Sequence, residues 1–242
     1  MKRETTATKA IAELRALRKP TRAHDMQRFF KTAPGEYGEG DIFLGLTVPQ
    51  VRIIAKSYRD LELSEIEKLS ASPFHEIRLC GLIILTNQFK ATTDLKIKKS
   101  IFDFYIRQMK LGRINNWDLV DVSAPTIGEY LIDVADPLPI LRRLARSKSL
   151  WERRLAVLFT FAFIRVGDFA PTMEISERLL GDSHDLIHKA VGWLLREVGK
   201  RDPYLLRSFL EAHVHEMPRT MLRYSIEKIP ESERQKWLKK TR

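Results

Sequence analysis

The segment Ile114-Asn115-Asn116-Trp117-Asp118-Leu119-Val120-Asp121 holds the residue types in this chain best suited to chemistry. Trp117 and Asp121 are four apart, so on a helix an indole and a carboxylate share one face. Pro125 follows four residues later and has no N–H to offer the Asp121 carbonyl, so a helix continuing that far should kink there. A carboxylate beside a large aromatic at a helix irregularity is unusual inside a helical repeat. The plain alternative is that Asp118 or Asp121 caps or solvates the helix while Trp117 packs in the core.

A second group is basic. Trp151 and Arg154 are three apart and share a helical face, and a repeat described below makes Arg154 equivalent to Lys189. Lys148, Arg153, Arg165, Arg196, Lys200, Arg201 and Arg223 add to the positive charge of this half. Successive helices presenting Arg and Lys could track a phosphate backbone, with affinity falling as salt rises. Taken singly, each is equally a solvated surface charge. Gly192, beside Trp193, costs a helix about 1 kcal/mol relative to Ala and therefore predicts close backbone approach or packing there.

Other chemistries find little support. His184 and His188 are four apart and His213 and His215 are close, but neither pair sits in an HExxH pattern or among further ligands. No metal and no cofactor is expected. Cys80, the one cysteine, lies in an apolar run and reads as a small core residue. The loop Ala33-Pro34-Gly35-Glu36-Tyr37-Gly38-Glu39-Gly40-Asp41 is glycine-rich, yet it lacks the Lys-Ser/Thr ending of a phosphate loop, and its three carboxylates would repel phosphate. It reads as an inter-helix loop. There is no Gly-x-Ser-x-Gly elbow for a serine hydrolase.

The elements that must position these residues are helices. Apolar residues recur at helical spacing, hairpin dipeptides are missing, and the run 155–164 is apolar on all sides, as in a helix buried between others. Pro20, Pro73, Pro137, Gly167, Gly181, Pro203 and Pro218 mark helix ends. Basic-then-apolar starts at Arg78, Arg154, Lys189 and Arg223 recur at intervals of about 34–38 residues, the first interval spanning two periods with its midpoint at Asn116. That period, without a TPR signature, predicts an all-α chain: a right-handed α-solenoid of about six HEAT-like helical repeats with a basic concave face. Residues 1–242 are read as a single domain, with about 1–25 as a peripheral helix.

Forty-two Lys and Arg stand against 31 Asp and Glu, a net charge of +11, which points to a polyanion such as nucleic acid or to an anionic surface. The apolar runs 79–85 and 155–164 are too short to span a bilayer, and no signal-peptide pattern opens the chain. The single cysteine suits a reducing cytoplasm.

Together these segments resemble the HEAT-repeat DNA alkylation repair proteins, the AlkD-like alkylpurine DNA glycosylases. The likeness rests on Phe43-Leu44-Gly45-Leu46-Thr47-Val48-Pro49, Asn116-Trp117-Asp118-Leu119-Val120-Asp121, Leu150-Trp151-Glu152-Arg153-Arg154-Leu155-Ala156 and Lys189-Ala190-Val191-Gly192-Trp193-Leu194-Leu195-Arg196-Glu197, in order from about Met26 to Arg234. It implies that Asp121 is the catalytic carboxylate, that Trp117 and Trp193 are the cleft tryptophans, and that Arg154 holds DNA phosphate, with Lys189 and Arg196 as further DNA contacts. Thr47 departs from the glutamine of the best-known members, and the loop before Phe43 is longer. The implied substrate is double-stranded DNA carrying N3- or N7-alkylated purines, attacked by a monomer without base flipping. Such purines are cationic and already good leaving groups; a carboxylate would stabilise the positive charge that builds on the sugar, and indoles would add cation–π contacts. The rival expectation is a non-catalytic HEAT scaffold for damaged or branched DNA or for a protein partner.

Overall fold

A computed structural model describes residues 5–240, and the chain divides into two compact units, Met1–Ile127 and Gly128–Arg242. Among the described residues the structure is helical, with one isolated parallel bridge between Ile42 and Phe74.

The first unit contains α1 (Ala7–Ala16), α2 (Pro20–Phe29), α3 (Val48–Ser57), α4 (Leu63–Ser70), α5 (His75–Ala91), α6 (Leu95–Lys110) and α7 (Trp117–Ile127). Its core is α5, buried almost all round from His75 to Thr86, with α1, α3, α4, α6 and α7 packed about it. Within residues 5–25 the chain forms α1 and the start of α2 rather than one peripheral helix; Ala7, Ala10 and Leu14 of α1 are buried against α3 and α4. Residues 1–4 of that stretch lie outside the described residues.

Local chemistry starts each element where it does. Asp94 accepts the Lys96 and Ile97 amides ahead of α6. Thr47 forms a capping box with Gln50 ahead of α3: its hydroxyl accepts the Gln50 N–H at 3.3 Å, and Gln50 Oε1 accepts the Thr47 N–H at 2.9 Å. The departure at Thr47 thus has a structural use.

The second unit opens with a 3₁₀ segment, Gly128–Asp133. It continues with α8 (Leu138–Ala145), α9 (Leu150–Phe159), α10 (Phe161–Arg165), α11 (Ala170–Arg178), α12 (Asp185–Gly199), α13 (Pro203–His213), α14 (Arg219–Ser225) and α15 (Glu231–Lys240). The apolar run 155–164 is buried as expected except at Phe161, but it is two helices rather than one. Thr160 separates them, donating its hydroxyl to the Val157 carbonyl at 2.7 Å, a local bond that competes with the helix ladder. The centre of the unit is α12, against which α9, α11, α13 and α14 pack. Arg207 clamps Glu233 through two bonds of 2.7 and 2.9 Å, tying α15 to α13.

The repeat is a register. The fifth residue is Arg52 in α3, Asp121 in α7, Arg154 in α9, Lys189 in α12 and Arg223 in α14; in α5, Arg78 is the fourth. The sequence period placed its missing member at Asn116, which immediately precedes α7; the equivalent residue is Asp121. Where other repeats carry a cation, this one carries a carboxylate.

The close approach predicted at Gly192 is present. A Cβ there would stand 2.5 Å from the Met221 carbonyl oxygen and 2.6 Å from Tyr224 Cβ, so α12 and α14 touch backbone to backbone. Gly192→Ala should force these helices apart and cost about 1–3 kcal/mol, read as a lower melting temperature. An unchanged melting temperature would contradict the contact.

Candidate active site

The sequence turns into α7 through Asn115-Asn116-Trp117-Asp118, and three of these four side chains are moored to a buried ionic cluster. Asp41, at the end of the glycine-rich loop, faces His75 Nδ1 at 2.9 Å, and Asp118 faces His75 Nε2 at 2.8 Å. Arg78 Nη2 donates to the other Asp41 oxygen and to Asn115 Oδ1 at 3.0 Å, while Asn116 Nδ2 donates to Asp41 at 3.2 Å. Arg78 also donates to the Ser72 and Pro73 carbonyls, so it is anchored at both ends. Trp117, the fourth, packs instead against the cluster of Ala23, Phe30 and Phe43.

Electrostatics follow from this arrangement. Burial alone would lower the His75 pKa, but Asp118 and Asp41 outweigh it and lift it to about 9. Burial alone would raise Asp41, but its bonds to His75 and Arg78 hold it below the usual carboxylate range. The imidazolium, one guanidinium and two carboxylates make a neutral quartet. Next to it, the Glu76 carboxylate accepts the backbone N–H groups of Leu44, Gly45 and Leu46 at 2.8, 2.8 and 3.1 Å. Gly45 has φ +87°, and a Cβ there would lie 2.3 Å from the Lys19 carbonyl oxygen, so only glycine fits. These bonds fix Phe43 in place.

An aromatic stack grows from this base. Phe43 lies over the His75 ring at 4.7 Å, Phe30 over Phe43 at 4.9 Å, and Trp117 over Phe30 at 5.5 Å and 15°. Phe29 meets Trp117 edge-on at 6.1 Å and is 67% exposed. Trp117 is half-buried, so of the two sequence readings, core or working surface, it has features of both. One turn further on, Asp121 is also half-buried. It lies near enough to Tyr105 that its charge, added to the burial of that ring, pushes the phenol pKa up; Tyr105 meets Ser123 Oγ at 2.8 Å. Pro125 sits inside α7, which gives way to the 3₁₀ segment after Ile127. Asp118 is neither a simple cap nor a solvated charge, because its second oxygen holds His75.

The second unit carries the other candidates. Trp193 on α12 is half-buried, 5.9 Å from Phe161, whose ring in turn lies under the Arg165 guanidinium at 4.8 Å. Arg154 on α9 is 4% exposed and donates to the Leu186 carbonyl in the first turn of α12. Its neighbour Arg153 is taken by Asp182 at 2.6 Å. Lys189 pairs with Asp185 at 2.6 Å, and Arg196 lies between Glu227 and Glu197. Lys189, Thr220, Arg223, Tyr224 and Arg234, with Asp185 and Glu227, line a groove of about 450 Å³ beside α12 and α14.

Three of the other five histidines are engaged structurally: His184 caps α12 through the Leu186 N–H, His188 meets the Asp182 carbonyl, and His213 meets Glu177. Cys80 is fully buried, and burial pushes its thiol up to about 12, as suits a core residue. The loop at 33–41 is an inter-helix loop closed by its own carboxylates, with Glu36 accepting the Ala33 N–H and Glu39 the Gly35 N–H. Asp41, His75 and Phe29 were missed by sequence reasoning, since each lies far along the chain from α7 and carries no motif of its own.

The chain matches the family model described as DNA alkylation repair enzyme over residues 10–229. A solved structure described as a predicted DNA alkylation repair enzyme from Enterococcus faecalis shares the fold, with a TM-score of 0.69, 16% identity, 88% of this chain covered and 97% of that one. No curated protein matches. Among the described residues, no helix is long and apolar enough to cross a membrane.

The ionic cluster makes stability depend on pH. The raised His75 pKa contributes stability that is whole below about 6.5 and is lost as the pH climbs through about 9. The lowered Asp41 pKa contributes stability that is whole above 3.8 and is lost as the pH falls below it. The melting temperature should therefore fall by several degrees from pH 6 to about pH 9.5, and His75→Gln should remove that alkaline loss. Equal alkaline losses in the two proteins would refute the cluster's role.

Proposed function

The chain belongs to the DNA alkylation repair enzyme family, and on that premise we propose that it is a DNA glycosylase for cationic N3- and N7-alkylpurines in duplex DNA. The observation that carries the reading is the half-buried Asp121, one turn beyond Trp117 on a helix whose first turn is moored by buried bonds. An aromatic face and a carboxylate fixed on one helix make a surface that favours positive charge before any substrate arrives.

The substrate purine needs no acid to leave, because alkylation at N3 or N7 has already made it cationic. As the N-glycosidic bond lengthens, its electrons go to the purine, and the deoxyribose takes on oxocarbenium character. The Asp121 carboxylate stabilises that charge and orients the water that adds to C1′, leaving an abasic site. Trp117, backed by Phe30 and edged by Phe29, offers an indole face to the cationic nucleotide. In the second unit Trp193 offers another aromatic face, and Arg154, Lys189 and Arg196 are the proposed DNA contacts. Their present partners matter: Lys189 is the most accessible, Arg196 must loosen its hold on Glu227, and Arg154, 4% exposed, must turn from the Leu186 carbonyl. We take 1–242 as one repeat domain acting as a monomer, without base flipping and without a metal or other cofactor; the register shared by α3, α7, α9, α12 and α14 supports the single repeat.

Asp121→Asn should slow release of 7-methylguanine from duplex DNA by about a hundredfold or more while leaving DNA affinity nearly unchanged. Near-normal release would remove Asp121 from the mechanism, and tight DNA binding with no release by wild type would favour a non-catalytic scaffold. Lys189→Gln should lower the slope of log affinity against log salt by about 1. It is a cleaner test than Arg154→Ala, which would also remove the bond to Leu186. An unchanged slope would remove Lys189 from the phosphate contacts.

A further inference from the structure

Each nitrogen of the His75 ring faces a carboxylate oxygen, Asp41 at 2.9 Å and Asp118 at 2.8 Å, and only a ring protonated on both nitrogens can donate to both. We propose that His75, doubly protonated, is the positioning residue of the excision site, setting the first turn of α7 and with it the face that carries Trp117 and Asp121. The proposal rests on the excision reading above and adds to it a residue that touches neither substrate nor the reacting atoms.

The path from ring to site is short and made of bonds. Asp118 is held by His75 Nε2, and its other oxygen accepts the Leu119 N–H at 2.9 Å. Asn116 is held by Asp41, and its side-chain oxygen accepts the Trp117 N–H at 2.9 Å. The ring also underlies Phe43 and Phe30, on which Trp117 stacks. Among the described residues, the ionisable groups that meet the ring are Asp41 from the loop and Asp118 from α7. Arg78 on α5 reaches it through Asp41, and Glu76 turns away to the backbone of 44–46.

Loss of one ring proton has an uneven effect. Asp41 keeps Arg78 and Asn116 whichever nitrogen gives up its proton, whereas Asp118 loses its tie to the ring when that nitrogen is Nε2. The first turn of α7 should therefore loosen while the loop stays docked. Consistent with the geometry, the two carboxylates hold the proton on the ring well into the alkaline range.

The test is single-turnover release of 7-methylguanine by full-length wild type and His75→Gln from about pH 6 to 9.5, with imidazole and indole NMR of wild type over the same range. The variant should be at least about tenfold slower at neutral pH, with affinity for undamaged duplex within about threefold. The wild-type rate should fall above about pH 9, and that limb should vanish in the variant. In the spectra, both His75 nitrogens should carry protons at neutral pH, and the Trp117 indole signal should shift as His75 titrates. A variant as fast as wild type, a neutral ring at pH 7, or an indole signal indifferent to the titration would each overturn the proposal. Should wild type release no base at all, the excision reading fails, and the coupled or uncoupled shift of the two signals decides His75's role by itself.

Discussion

A protonated imidazole clasped between two carboxylates is the interaction on which the first unit's candidate site depends. Taking four charges out of water is unfavourable, and such clusters add little net stability; their value lies in geometry, because removing one member strands the others. Here the members come from three places in the chain: Asp41 from a loop, His75 and Arg78 from the buried helix α5, and Asp118 from the first turn of α7. The parallel bridge between Ile42 and Phe74 brings the loop to the start of α5, where the His75 N–H meets the Ile42 carbonyl at 2.8 Å. Trp117 and Asp121 are therefore presented by a cluster they do not belong to.

The repeat gives this arrangement a second meaning. One residue in each of several helices, the fifth, carries Arg52, Arg154, Lys189 or Arg223, all suited to an anion. In α7 the same register carries Asp121. Among the fifth residues of α3, α7, α9, α12 and α14, Asp121 is the acidic one. Family membership points to DNA as the substrate.

Much of this was legible in the sequence, for identifiable reasons. Helical periodicity and the prolines at 20, 203 and 218 gave the fold class and several helix starts, because local sterics decide those features. Gly192 announced its backbone contact because glycine inside a helix is costly without one. Trp117 and Asp121 could be paired because their spacing is local. The network of Asp41, His75 and Asp118 could not, because its members lie 34 and 43 residues apart and only packing joins them. For the same reason the engagement of Arg196 by Glu227, 31 residues away, was invisible, and a residue that read as an open cation is largely committed to a carboxylate. The break at Thr160 within an apolar run was likewise set by a side-chain bond that periodicity does not register.

The repair we propose for this chain breaks the N-glycosidic bond of alkylated purines in DNA. Mass spectrometry of everything released from, and remaining in, a methylated duplex after incubation with the purified protein tests it most directly. Free 3-methyladenine and 7-methylguanine, matched by abasic sites in the duplex, is the result predicted. Alkylated bases left in place on DNA that the protein binds tightly, or restored to unmodified bases within the strand, would contradict it.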